Sequence, residues 1–217
     1  NRVDAADDVQ SEIACHGKAA KWLLPTVKMI IDIGGQDAKA IKVDEDGNIV
    51  KYVYNDACAS GTGRFLEVMS GTLGVPIEEM GERSLLATQP IRLSSQCVVF
   101  AETEVITLIN EGYPLNDIQG GLHQALTKRV VSLARSIVLE EDITFTGGVA
   151  KNIGVFQAME KALGVELKKM DRIDPQVTGA VGAALFAAER VTGQSLTVRD
   201  TRETEVTIPD NKNRGAL

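Results

Sequence analysis

The sequence predicts an α/β fold, because segments with the composition of strands alternate with segments that have helical periodicity. Residues 27–33 form a nearly continuous apolar run, which is typical of a central strand. Two more strand candidates follow at 38–43 and 48–54, and the turn sequence Asp-Glu-Asp-Gly lies between them. These three strands are predicted to form an antiparallel meander, and most helical segments come after residue 62.

The remaining elements are predicted from hydrophobic spacing and from glycine and proline breaks. Asp117 is predicted to cap the longest helix, and His123 within it is interpreted as a packed or surface residue. Cys15 and His16 are interpreted as a half-buried structural pair in the first helix. Helices are predicted at residues 11–24, 62–73, 76–86, 98–110, 116–138, 153–163 and from 178 onward, and short strands at 91–93, 143–145 and 165–168.

Length and composition limit the classes of protein to which the chain can belong. Its 217 residues suffice for one large or two small domains. The net charge of −7, from 30 acidic and 23 basic residues, argues against a nucleic-acid-binding surface. No apolar run reaches the roughly 18 residues that a membrane span needs, so we expect no membrane partner. The three cysteines lack the spacing of a disulfide framework, and we therefore predict that the protein is located in a reducing cytoplasm.

A glycine pair follows the first predicted strand. Gly34 and Gly35 lack Cβ atoms, so their backbone can approach a phosphate closely and donate N–H groups to it. Asp32 and Asp37 flank the turn and could hold Mg²⁺ through water molecules. A tight hairpin with two solvated acids explains the same residues equally well, and both interpretations stay open at this point.

A second glycine pair, Gly147 and Gly148, lies between a predicted short strand and a predicted helix. This arrangement brings backbone N–H groups and a helix N-terminus to a ligand. Farther along, the small residues of segment 178–184 would let another backbone pack closely against the last helix.

Two cysteines stand at predicted helix N-termini. Cys58 and Cys97 each follow polar residues and precede a helical pattern, so N–H groups and the helix dipole would stabilise thiolates or an anionic cluster. Two thiolates are too few for a cubane iron–sulfur cluster, but a symmetric dimer would supply four. The alternative is that both cysteines are small buried hydrophobic residues.

Three motifs occur in an order that resembles one ATPase superfamily. Segments 32–37 (Asp-Ile-Gly-Gly-Gln-Asp), 146–152 (Thr-Gly-Gly-Val-Ala-Lys-Asn) and 178–184 are similar to the second phosphate loop, the adenosine loop and the second connecting helix of the actin/Hsp70/sugar-kinase ATPases. The resemblance implies the actin-like ATPase (ribonuclease H-like) fold, in which helices flank a mixed sheet.

The two cysteine segments narrow this resemblance to one family. With Cys58 in Asn-Asp-Ala-Cys-Ala-Ser-Gly-Thr-Gly-Arg-Phe and Cys97 in Ser-Ser-Gln-Cys-Val-Val-Phe, the chain resembles the BadF/BadG/BcrA/BcrD ATPase family over about residues 11–191. That family includes activators of 2-hydroxyacyl-CoA dehydratases and ATPase subunits of benzoyl-CoA reductases. Each single glycine motif is weak evidence, whereas their combination with both cysteines is specific.

The resemblance implies ATP-dependent electron transfer by a homodimer, or by a heterodimer of related subunits. It implies one [4Fe–4S] cluster at the dimer interface, with Cys58 and Cys97 as ligands from each subunit. The electron would come from a ferredoxin or flavodoxin and pass to an acyl-CoA dehydratase, which we favour, or to an aromatic-CoA reductase.

The resemblance also assigns the nucleotide-binding residues. ATP or ADP and Mg²⁺ would lie between the two glycine loops. The implied catalytic residues are Asp32, Gln36 and Asp37. The implied nucleotide-binding residues are Gly34, Gly35, Gly147, Gly148, Val149 and Asn152.

The chain departs from the family pattern at its start. These ATPases open with a phosphate hairpin of the form Asp-x-Gly-Ser/Thr, and none precedes Ser11. We therefore expect that an N-terminal piece is missing and that ATP hydrolysis by this chain alone is poor. Residues 1–25 would be a remnant of the N-terminal lobe with a connecting helix, 26–195 the ATPase domain with the cluster-binding helices, and 196–217 a polar tail.

Two rival functions share the fold. A small-molecule kinase would need an acidic base in a substrate cleft, and an actin- or Hsp70-like switch would need neither cysteine. Both leave Cys58 and Cys97 without a role, so the iron content separates them from the electron-transfer hypothesis.

Overall fold

A four-stranded mixed sheet forms the centre of the structure, a computed structural model that describes residues 6, 8–55, 58–94 and 97–196. The strand order is β3-β2-β1-β4. β1 pairs antiparallel with β2 and β2 with β3, whereas β4 runs parallel to β1. The predicted meander is therefore confirmed. The strands are β1 (Met29–Ile33), β2 (Ala38–Val43), β3 (Ile49–Asn55) and β4 (Ile143–Thr146).

Seven α-helices surround this sheet in the described part of the chain. Most predicted helices are confirmed to within a residue or two at each end. Ser11 caps the first helix by accepting a hydrogen bond from the Ala14 amide. The helices are α1 (Glu12–Leu23), α2 (Gly63–Leu73), α3 (Ile77–Leu85), α4 (Val98–Asn110), α5 (Leu115–Ala134), α6 (Ile153–Leu163) and α7 (Thr178–Thr192).

The sheet separates two apolar cores, because successive side chains of β1 point to opposite faces. Ile31 and Ile33 belong to the larger core, which the helices α2 to α6 build. Ile30 belongs to the smaller core, together with residues of α1 and β2. α7 packs closely on α1, since a Cβ at Gly182 would lie 1.9 Å from the Cys15 carbonyl oxygen. α1 shares the smaller core with the sheet, and the division of the chain at residue 25 stays a prediction.

Three predicted elements differ from the structure. No strand forms at residues 91–93, because the Ile91 amide donates instead to the Asp117 carbonyl oxygen. α5 starts after Pro114 and ends at Ala134 rather than at residue 138. Asp117 lies in its first turn rather than at the cap, and its carboxylate accepts from the Thr88 and Gln89 amides at 2.7 and 3.0 Å.

The third difference concerns the strand predicted at 165–168, which is reduced to a single bridge between Lys168 and Thr144. The predicted tail from residue 197 onward lies outside the described residues. Among the described helices, none is both long enough and apolar enough to cross a membrane.

Candidate functional site

The two glycine loops meet at the carboxyl ends of β1 and β4. Asp32 and Thr146 are paired in the parallel ladder, and the Thr146 hydroxyl donates to the Asp32 carboxylate at 2.8 Å. Gly147 follows directly, and a Cβ there would lie 2.3 Å from the Ile33 carbonyl oxygen. The carboxyl ends of adjacent parallel strands are a common ligand-binding position in α/β proteins.

A buried lysine forms ion pairs with three carboxylates at this edge. The Lys39 ammonium lies 2.8 Å from Asp37, 3.0 Å from Glu12 and 3.5 Å from Asp32. Burial alone would lower the pKa of Lys39, but its hydrogen bonds to Asp37 and Glu12 and the charge of Asp32 raise it instead. Lys39 therefore stays charged and fixes three acidic side chains at once.

His16 approaches the same carboxylate from α1. Its Nδ1 atom lies 3.6 Å from Asp32 Oδ1 and 3.5 Å from the Thr146 hydroxyl, and its ring is buried. Glu12, His16 and Asp32 offer ligand atoms that all lie within 4.8 Å of one another. The Lys39 ammonium lies against two of these acids, so the arrangement fits a hydrated Mg²⁺ better than an ion bound directly by all three.

The phosphate-loop candidate is bonded to the start of α2. The Gly63 amide donates to the Gly34 carbonyl at 2.8 Å, and the Arg64 amide donates to the Gly35 carbonyl at 2.9 Å. A Cβ at Gly63 would lie 3.0 Å from the Gly34 oxygen, so the glycine permits this close contact. Gly35 and Gln36 are exposed at the tip of the loop. The loop and the start of α2 are therefore joined by two backbone hydrogen bonds.

Cys58 lies on the segment that leads into α2. Its sulfur is 3.0 Å from the Ser60 hydroxyl, and Arg129 of α5 donates to it at 3.1 Å. Burial raises the pKa of the Cys58 thiol, but the hydrogen bonds of Ser60 and the charge of Arg129 outweigh it and lower the pKa overall. This environment stabilises a thiolate, which is the form that binds iron.

The other two cysteines differ from each other in their surroundings. Cys97 is exposed and stands immediately before α4, which confirms the helix predicted there. Cys15 is buried in α1, and burial together with the nearby Glu12 raises the pKa of its thiol. The donor set of Cys58 and Cys97 fits a shared iron–sulfur cluster, whereas Cys15 fits a small buried hydrophobic residue.

Asn152 makes contacts through both the oxygen and the nitrogen of its side-chain amide. Its oxygen accepts from the Val155 amide at 3.0 Å and caps α6, and its nitrogen lies 3.4 Å from His123 Nε2. Val149 is buried and faces the start of α2, where a Cβ at Gly63 would meet it at 3.2 Å. The side chain of Asn152 thus holds the junction between the second glycine loop and α6.

Gly147 requires a conformation that disfavours side chains, with φ at +85°. We expect Gly147→Ala to destabilise the protein by roughly 2–3 kcal/mol, because strain and the contact with Ile33 add up. Gly148→Ala is the matched control, since a Cβ there meets only the Gln176 side chain at 3.7 Å or more. Denaturant unfolding of both variants tests this, and equal stabilities would contradict it.

His123 makes stability depend on pH. It is almost fully buried, and burial lowers its pKa from 6.5 to about 4. The unfolded chain therefore binds the proton more tightly, so the free energy of unfolding should fall by about 2 kcal/mol between pH 7 and pH 5 from this group. His123→Gln should remove this part of the pH dependence in denaturant titrations at the two pH values, and an unchanged slope would contradict the assignment.

Comparison with known proteins decides the family. A model of the BadF/BadG/BcrA/BcrD ATPase family matches residues 2–187. The chain belongs to this ATPase family. The activator of lactoyl-CoA dehydratase from Anaerotignum propionicum is 49% identical over 187 residues, which are 85% of this chain and 70% of that protein.

A solved structure and a more distant relative complete the comparison. The activator of the 2-hydroxyisocaproyl-CoA dehydratase from Clostridium difficile, solved with bound ADPNP, is similar with a TM-score of 0.85 and 37% identity, over 95% of this chain and 74% of that one. A benzoyl-CoA reductase subunit from Thauera aromatica is 33% identical over 181 residues, or 81% of this chain and 64% of that protein. The predicted family and the actin-like ATPase fold are both confirmed.

Several residues of the site cannot be found from the sequence pattern. Lys39 occurs in a short strand segment, His16 has the spacing of a structural residue, and Arg129 lies within a long helix. Only the position of Thr146 directly before the glycine pair could have indicated its contact with Asp32. The others come from elements distant in the chain, and only the fold brings them together.

Proposed function

We propose that the chain is the ATP-dependent activator of a 2-hydroxyacyl-CoA dehydratase and passes single electrons to that enzyme. One observation carries the proposal. The phosphate loop at Gly34 and Gly35 is hydrogen-bonded to the start of α2, and the segment before α2 carries the stabilised sulfur of Cys58. The similarity to two dehydratase activators supports the acceptor.

ATP with Mg²⁺ would bind between the two glycine loops. The Gly35 amide at the exposed tip of the loop would donate to the phosphates, whereas the Gly34 amide already donates to the Asp37 carbonyl oxygen and shapes the turn. The Gly147 loop would lie against the adenosine. Asp32 and Asp37 would hold the hydrated Mg²⁺ and orient the attacking water, since phosphoryl transfer depends mainly on positioning and charge. Lys39 would keep both carboxylates in place and offset part of their charge.

A [4Fe–4S] cluster would join two copies of the chain, with Cys58 and Cys97 as ligands from each. When bound, such a cluster accepts and releases one electron at low potential. The exposed face of α4 beside Cys97 is apolar, and this supports a contact between this face and a second copy of the chain. Val99 and Phe100 expose 64% and 68% of their surface there, and Ile106 continues the same face.

The nucleotide would act on the cysteines through α2. A phosphate on the Gly35 amide would shift the loop and so reorient the bonds that the Gly34 and Gly35 carbonyl oxygens accept from the Gly63 and Arg64 amides. If α2 followed these bonds, the segment of Cys58 and its contact with Arg129 would change as well. Hydrogen bonds and charge around the sulfurs tune the potential of such a site.

Iron and sulfide analysis of anaerobically purified protein tests the proposal, together with EPR spectra after dithionite reduction. About four irons and four sulfides per two chains, with a reducible EPR signal, are expected for a bridging cluster. Carefully anaerobic protein without iron would overturn the electron-transfer function, and kinase activity would then be assayed.

A second acceptor has some support. The chain is 33% identical to the benzoyl-CoA reductase subunit from Thauera aromatica, so an aromatic-CoA reductase is the alternative acceptor. The higher identity to the lactoyl-CoA dehydratase activator favours the dehydratase. We further propose a ferredoxin or flavodoxin as the electron donor. We also propose a reducing cytoplasm as the compartment, in keeping with three free cysteines.

A further inference from the structure

A recess with cationic walls lies beside the Cys58 segment. Its volume is about 960 Å³, and Ser60 and Gly61 form part of its wall. Arg92, Lys128 and Arg129 line it, and none of the described residues that line it is acidic. The chain as a whole carries a net charge of −7, so this local excess of positive charge departs from the average of its surface.

The recess is connected to both cysteine segments. Arg129 lines it and also donates to the Cys58 sulfur at 3.1 Å. On the other side, Arg92 to Ser94 belong to the segment that leads towards Cys97. Lys128 and Arg92 are exposed, so their charges are available to a partner protein.

We propose that this recess is the docking surface for an acidic one-electron donor protein, an inference that rests on the proposed electron-transfer function. Negative side chains of the donor would pair with Arg92 and Lys128 and place its redox centre near the Cys58 segment. One electron would leave the donor, which is thereby oxidised, and reduce the cluster that Cys58 and Cys97 would hold, and no bond would be made or broken.

The chemistry of the recess favours a donor over the dehydratase component. Encounters between redox proteins are transient and bury little surface, and opposite charges steer them. A recess with exposed cationic side chains suits such an encounter. The apolar face of α4, by contrast, is of the kind that a lasting interface covers.

Charge reversal tests the proposal on the complete protein with its cluster. Lys128→Glu and Arg92→Glu are compared with Lys161→Glu, an exposed position on α6 outside the recess that changes the net charge equally. Calorimetry measures the affinity for an oxidised acidic ferredoxin. Stopped-flow absorbance measures reduction of the cluster by the reduced ferredoxin and, separately, by the methyl viologen radical cation.

Lys128→Glu is expected to weaken ferredoxin binding and slow its electron transfer about tenfold at low salt, without slowing the viologen. Lys161→Glu should change both rates little. Equal effects of Lys128→Glu and Lys161→Glu would overturn the proposal, as would weakened binding of the dehydratase component with unchanged ferredoxin binding. If the electron-transfer function itself were wrong, the wild type would lack a dithionite-reducible cluster. That result is distinct from a failure of the docking proposal, in which the wild type has the cluster.

Discussion

Asp32→Asn is expected to lower ATP-driven electron transfer about 10²- to 10³-fold, the usual effect of removing one preorganised electrostatic contact from a transition state. The Asp32 carboxylate is buried, accepts from Thr146 and lies 3.5 Å from Lys39. Asparagine keeps the shape of the side chain but removes the charge that would organise the hydrated Mg²⁺. The measurement is phosphate release and dehydratase activation under anaerobic conditions.

Asp46→Asn is the control for this substitution. Asp46 is exposed in the turn between β2 and β3, at the opposite end of β2 from the first glycine loop. It should retain wild-type turnover, and far-ultraviolet circular dichroism should show both variants folded. If Asp32→Asn kept more than about a tenth of wild-type turnover, Asp32 would not organise the metal and the attacking water.

Cys58→Ser is expected to remove essentially all iron from anaerobically purified protein. A cubane cluster bridging two chains would lose two of its four thiolate ligands, and serine does not replace a thiolate in stabilising it. The protein itself should remain folded, because Cys58 is only partly buried and precedes a short 3₁₀ turn. Iron and acid-labile sulfide per chain are the quantities to measure.

Cys15→Ser separates loss of a ligand from a general effect of removing a thiol. Cys15 is buried in α1 at the contact with α7, and burial raises the pKa of its thiol. This variant should keep its iron, even where packing costs it some stability. Iron retained in Cys58→Ser, or lost equally in both variants, would contradict the assignment of Cys58 as a ligand.

The sheet can be predicted well from the sequence because local turn chemistry determines most of it. The turn at Asp44 to Gly47, together with the strand-like composition before it and the alternation after it, specifies the antiparallel meander without any distant contact. The two glycine pairs likewise mark strand ends by local sequence alone. The parallel pairing of β1 with β4, which joins the two loops, spans more than 100 residues and follows only from the fold.

The wrongly predicted elements depend on contacts with residues that are distant in the chain. The segment at 91–93 has strand-like composition, but the Asp117 backbone pairs with Ile91 and leaves no ladder. Asp117 resembles a helix cap in the sequence, yet Pro114 sets the start of α5 and the carboxylate turns to the Thr88 and Gln89 amides. Local propensity cannot distinguish these outcomes, because both residues satisfy their hydrogen bonds across the fold.

Only half of the charged part of the site can be predicted from the sequence. The acids Asp32 and Asp37 stand out beside the glycines, but the cation that holds them does not. A lysine within a strand is usually exposed, and Lys39 is buried only because three carboxylates surround it. The role of Arg129 cannot be predicted for a similar reason, since its partner Cys58 lies 71 positions earlier in the chain.

ATP is proposed to drive an electron out of this protein into a dehydratase. Rapid freeze-quench EPR tests this coupling most directly, with dithionite-reduced protein mixed with the purified dehydratase component and either ATP or ADP. We predict that the reduced-cluster signal disappears with ATP and persists with ADP. Equally fast loss of the signal with both nucleotides, or with neither present, would contradict the coupling of the phosphate loop to Cys58.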